Sequence, residues 1–172
     1  MRRLKVKIKT KDKGMRNSLL YWYTAKNPLI IVYNFIIIYI AKYLPSLTLK
    51  RILYRMTGIK VGKDVAIGLG ATFDIFFPEL IEIDDNTIIG FNSTVLAHEF
   101  LQDSLRIGRV KIGRNVMIGA NSTVLPGVVI GDNAKVSAMS LVNKDVRKNE
   151  FVGGVPIRKL NAKMRKFEEI ER

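Results

Sequence analysis

Aliphatic or aromatic residues recur every six positions between residues 61 and 142 of this chain. They stand at Val61, Ile67 and Phe73, resume at Ile83, Ile89 and Val95, and resume again at Ile112, Ile118, Val124, Ile130, Val136 and Val142. Three positions after them come Asp64, Gly70, Asn86, Asn92, Asn115, Asn121, Gly127, Asn133 and Asp145, with Met139 the exception. Four positions after them come Val65, Ala71, Thr87, Ser93, Val116, Ser122, Val128, Ala134, Ser140 and Val146, all small or β-branched. An α-helix repeats at about 3.6 residues and a strand at about 2, so neither yields six. Asn, Asp and Gly tolerate the left-handed backbone of a sharp corner. A corner and an inward aliphatic in each period describe a short strand, a turn and another short strand. Stacked, such units form a parallel β-helix, whose turns bury one another. The N-S-T triplets at Asn92 and Asn121 fall in the same register and read as corners, not glycosylation signals.

Two stretches break the register. DIFFPELIE (74–82) separates Phe73 from Ile83, and LAHEFLQDSLRIGRVK (96–111) separates Val95 from Ile112. An insertion in a solenoid leaves the stack as a loop, and loops on rigid scaffolds commonly carry function. The chain's single histidine, His98, lies in the longer insertion.

Composition narrows the chemistry. The 172 residues include no cysteine and one histidine. A disulfide scaffold, a Cys-ligated metal and a thiol nucleophile are excluded, and so is a site built from several histidines of one chain. The net charge of +14 is uneven. Residues 1–57 hold 13 Lys/Arg against Asp12 alone, whereas residues 58–146 hold 8 basic and 10 acidic residues. The chain divides into an amino-terminal part (1–57), the repeat domain (58–160, with the extended loop 96–111) and a polar terminal helix (161–172).

Residues 1–16 read as a mobile basic arm. The Tyr21-Trp22-Tyr23 group and Pro28 follow, and then the apolar run LIIVYNFIIIYIAKYL (29–44), stopped by Pro45. As a helix that run is roughly 24 Å long, short against a bilayer core of about 30 Å. Three readings stay open: a helix buried against the domain or a partner subunit, a helix lying in a membrane interface, and a span helped by its flanks. Residues 46–58 read as a short amphipathic helix.

The hexads IGRNVM, IGANST, VLPGVV and IGDNAK, followed by VSAMSLVNKDV and FVGGVPIRKL, resemble those of the hexapeptide-repeat acyltransferases. The similarity extends over about residues 57–160, and in style is greatest to galactoside, maltose and cell-envelope sugar O-acetyltransferases. The resemblance implies a left-handed β-helix of triangular section; with the N-terminal helical segments and short C-terminal helix read from the residues, the expected fold is mainly β. The resemblance also implies a homotrimer, acetyl-CoA as cosubstrate, no required metal, and a cytoplasmic enzyme. The amino-terminal third lies outside the resemblance; there the basic arm, Trp22 and the tyrosines suggest a membrane surface as one further partner through residues 1–45.

His98 matches the family's general base. An imidazole can take a hydroxyl proton near neutral pH as the oxygen attacks a thioester, and then return a proton to the thiolate. With no cysteine to hold the acyl group, direct transfer is expected. Asp74 and Glu99 are candidates for binding the acceptor or positioning His98, and Asp103 is also near in sequence. Ala120 and Ala138 match positions along which the pantetheine arm lies. Lys144, Arg158 and Lys159 match positions that meet the nucleotide phosphates. Two departures are visible: Asn161 stands where the family often has a second basic residue, and Ser137 replaces a common glycine.

A γ-class carbonic anhydrase, built on the same solenoid, is rejected because one histidine per chain cannot supply its metal site. Nucleic-acid binding fits poorly, because the basic segment runs into aromatic and apolar residues. A non-catalytic trimeric scaffold, or a membrane-associated interaction protein, is the alternative outside enzymes. The acceptor is expected to be a sugar, a glycan or another small molecule bearing a hydroxyl.

Overall fold

The computed structural model describes residues 4–7 and 17–160. The helix expected at 161–172, with Asn161, lies outside the described residues, as does most of the basic arm. Leu4–Lys7 belong to the stretch read as a mobile arm, but they form a strand antiparallel to Ser104–Ile107.

The repeat winds into a prism with three parallel sheets as its faces. The first face stacks Lys60–Val61, Ile81–Ile83, Val110–Ile112 and Val129–Ile130. The second stacks Ala66–Ile67, Ile88–Ile89, Met117–Ile118, Lys135–Val136 and Phe151–Gly153. The third stacks Thr72–Phe73, Thr94–Val95, Thr123–Val124 and Leu141–Val142. Every hexad aliphatic from Val61 to Val142 is buried inside, as is every small residue four positions on. Arg158–Lys159 fold back antiparallel on Phe151–Gly153 and close the upper end.

The corners show why the repeat needs its polar residues. Asp64, Asn86, Asn92, Asn115, Asn121 and Asn133 have φ between 53° and 58°, and Gly70 and Gly127 are left-handed too. Asn side chains on one corner bond upward as a ladder: Asn86 to Asn115 (2.8 Å), Asn115 to Asn133 (3.1 Å), Asn133 to Asn149 (3.0 Å). Two corner expectations change. Met139, the apparent exception, is left-handed all the same (φ 56°). Asp145, which follows the third face, is not; the ladder runs up the corner after the first face to Asn149, because the last coil is short and sets Val146 over Ile130 sixteen positions on, where Ile130 stands over Ile112 eighteen positions on.

The lower end would leave the first coil's carbonyls unpaired, since no coil lies below them. Three helices stand at this end: α1 (Trp22–Ala25), α2 (Pro28–Tyr43) and α3 (Leu47–Met56). Pro28 opens α2 behind Asn27, whose side chain accepts from the Leu29 N–H at 2.9 Å, a helix start that proline favours. Polar side chains of α3 cap the coil. Lys50 Nζ donates to the Gly68 and Lys42 carbonyls, Tyr54 Oη to that of Ala71, and Arg55 to those of Val61 and Gly62. Lys50 is buried, and that burial pulls its ammonium pKa down.

Helix α2 seats one stripe, Ile31, Asn34, Ile38 and Ala41, against the protein. Its buried Asn34 donates to the Ile75 carbonyl at 2.9 Å. Ile37 and Lys42 are half-buried and the rest of this apolar helix is exposed, so the chain by itself covers one stripe of it.

Candidate active site

Both insertions leave the prism at the corner that follows the third face. Phe73 pairs with Val95 one coil above, so the residues that follow each strand start out as neighbours. The backbone N–H of Asp74 donates to the Val95 carbonyl at 3.1 Å. The upper excursion is a hairpin, His98–Phe100 against Ser104–Ile107.

This stacking brings Asp74 and His98 together across 24 residues of sequence. Asp74 Oδ2 lies 2.5 Å from His98 Nδ1 and accepts from the backbone N–H groups of Ala97 (2.7 Å) and His98 (2.9 Å). Its Oδ1 accepts from Phe76 N–H (2.8 Å) and Phe77 N–H (2.9 Å). Asp74 is 2% exposed. Burial opposes its charge, but the His98 hydrogen bond and charge, with the Phe77 and Ala97 amides, outweigh burial and hold the carboxyl below its usual range. An ionised carboxylate only accepts, so Nδ1 carries the hydrogen and Nε2 presents a lone pair. Among the described residues no hydrogen bond reaches Nε2.

Aromatic rings enclose the imidazole. Centroids of Phe76, Phe100 and Phe77 lie 4.6, 5.2 and 5.9 Å from that of His98. Trp22 of α1 meets Phe76 edge-on at 6.4 Å. Lys26 holds Glu79 at 2.8 Å and sits over the Phe77 ring. The amino-terminal helices are thus joined to the wall of the site. The sequence reading missed these rings. The signal was the pair of phenylalanines in an insertion that must stack beneath the histidine's own.

The other candidates fall elsewhere. Glu99 does not orient the ring: its side chain points to Arg106, with Oε2 buried and 3.8 Å from Nη1, while Asp74 holds Nδ1. Asp103 bonds Ser104 Oγ at 2.8 Å. Ala120 and Ala138 stack on the corner between the second and third faces, where Met139 N–H donates to the Ala120 carbonyl at 2.9 Å. A Cβ on Gly119 would fall 2.3 Å from Ala138 N, so this column admits nothing larger there. Lys144, Arg158 and Lys159 are exposed toward the upper end. Among the described residues no group of three His, Asp or Glu side chains is placed to hold a metal.

Comparison with known proteins follows the same lines. The signature described as "Bacterial transferase hexapeptide (six repeats)" matches residues 109–144. The Bacillus subtilis (strain 168) protein named "Putative acetyltransferase YvoF" is 50% identical over 157 residues, 91% of each chain. Among solved structures, the hexapeptide-repeat acetyltransferase VCA0836 of Vibrio cholerae O1 biovar eltor, complexed with acetyl coenzyme A, superposes with a TM-score of 0.66. It is 21% identical, over 77% of this chain and 86% of that one. A galactoside acetyltransferase in complex with coenzyme A gives 0.60, at 23% identity over 78% and 80% of the two chains. The fold is that of the left-handed parallel β-helix transferases. The chain belongs to the hexapeptide-repeat acetyltransferase family.

Proposed function

We propose that this acetyltransferase moves the acetyl group of acetyl-CoA to a hydroxyl of a sugar or glycan-type acceptor, with His98 as general base. The contact between Asp74 and His98 Nδ1 carries the reading. It fixes the tautomer in which Nε2 has a lone pair, and the backbone amides around Asp74 keep the carboxylate from turning away. The acceptor oxygen attacks the thioester carbonyl while Nε2 takes its proton. The C–S bond then breaks, and the proton passes to the departing sulfur to give the CoA thiol. The Asp74 carboxylate faces the positive charge that the ring gains as it takes the proton.

Small side chains at Ala120 and Ala138 leave the rung backbones open to the pantetheine amides, and Lys144, Arg158 and Lys159 offer cations to the phosphates. Within one protomer these alanines and His98 lie on corners at opposite edges of the third face. A donor on the alanine column of one subunit and the imidazole of another then form one site, which is the support for a homotrimer. The phenyl rings beside His98 suit the apolar face of a sugar ring.

An acceptor screen with acetyl-CoA, following thiol release, tests the reading. A hydroxylated acceptor should release thiol with the intact enzyme. H98A and H98N should cut kcat by about 10²–10⁴-fold while leaving acetyl-CoA binding in place. Unchanged turnover in those variants removes His98 as the base.

A further inference from the structure

Helix α2 has an outer face that the protein does not cover. Val32, Phe35, Ile36, Tyr39, Ile40 and Tyr43 are between 48% and 58% exposed, and Leu29 reaches 79%. A soluble surface helix normally turns charges outward. The only charge in α2 is Lys42, in its last turn. The neighbouring segments add more apolar surface at Leu19, Leu20, Tyr23, Leu47 and Ile52. A contiguous exposed apolar face of this kind marks an interaction surface.

We propose that this face docks on an anionic bilayer surface, with α2 lying in the headgroup plane. Crossing is disfavoured by geometry: α2 has 16 residues, its inner stripe is seated on the prism, and the preceding helical segment meets it at 97°. Among the described residues no single helix is long and apolar enough to cross. Charge names the occupant. Residues 17–57 hold no acidic residue, but Lys50 is buried, Arg55 serves carbonyls, and Lys26 and Arg51 pair with Glu79 and Asp64, so the excess left for a partner is Lys42 with the eight basic residues of 1–16, set against Asp12 alone. An anionic headgroup layer complements that excess. A second copy meeting this face with its own would set like charge against like. Tyrosines at 33, 39 and 43 give the face the amphipathic rings that settle at a lipid–water boundary.

The docking goes beyond the acyl-transfer reading and stands or falls apart from it. The test sediments the full chain with phosphatidylcholine vesicles and with vesicles containing 30% phosphatidylglycerol. V32E/I36E is measured beside the native chain, with circular dichroism, native mass and acetyl-CoA binding recorded for both. The native chain should co-sediment with the anionic vesicles only. The variant should keep its fold, mass and acetyl-CoA binding and lose at least tenfold in vesicle affinity. If V32E/I36E does not fold, V32S/I36S, which removes apolar area without adding charge, should lose about threefold or more. The proposal is overturned if the native chain does not bind anionic vesicles or if the folded variant binds as well as the native chain. It is also overturned if the substitution changes the native mass, which would mean that another copy covers the face. Loss of acetyl transfer in H98A with vesicle binding intact would leave the docking in place.

Discussion

Asp74 accepts five hydrogen bonds, four from backbone amides and one from the imidazole, so its position is set before any substrate arrives. An asparagine there can satisfy the amides on one side but must turn N–H toward N–H on the other. D74N should lower kcat by about a hundredfold or more, through the wrong tautomer of His98. It should also cost about 1–3 kcal/mol of stability for the amides left unpaired, read from denaturant midpoints. The pH dependence has a definite sign. The folded-state pKa of Asp74 lies below its unfolded value, so its contribution is fully present above about pH 4 and is lost as pH falls through the lower folded value. Melting temperatures of native protein and D74N should therefore converge below about pH 4. Part of this pair was legible in advance, since Phe73 and Val95 occupy one column of the repeat and the residues after them had to meet. Glu99 was a reasonable rival by proximity alone, but strand alternation turns it away from the ring beside it.

Among the elements, the repeat could be read from sequence because each strand contributes one inward residue at a fixed interval. Asn149 escaped because its coil is two residues shorter than the one below and shifts the register after Val142, and Met139 because nothing in a methionine announces a left-handed corner. The ladder makes a prediction. N115A should lose about 1–2 kcal/mol, from φ strain and two side-chain bonds, and N115G should lose less because glycine relieves the strain. The surroundings of α2 were not legible: a run apolar on all sides carries no polar stripe to say which side faces inward. The role of α3 was half visible. Its amphipathic spacing could be read, but nothing in that spacing marks Lys50 as a capping group, and it is 1% exposed and serves two carbonyls. K50M keeps the apolar stem and orphans those carbonyls. It should cost about 1–3 kcal/mol per group left unpaired, measured by chemical unfolding at neutral pH.

For the whole molecule, the proposed sharing of the site between subunits predicts complementation. H98A and A138W should each be inactive as pure assemblies, the first lacking the base and the second blocking the donor's path. Co-expressed and purified together, they should regain part of the native activity, because some clefts then combine an intact imidazole with an intact alanine column. Mixtures showing no recovery would place both halves of the site on one chain. R158A should raise KM for acetyl-CoA by about tenfold with kcat little changed, as removal of a phosphate contact made equally before and during reaction would.

Both excursions depart from a single edge of the prism, one directly over the other, and the strands beneath them keep their pairing whatever length of chain intervenes. Acceptor preference in such an enzyme is therefore free to drift while the donor track stays fixed. The two lobes should be transplantable as a matched pair between related transferases, with Asp74 and His98 travelling together, and neither should work when moved alone.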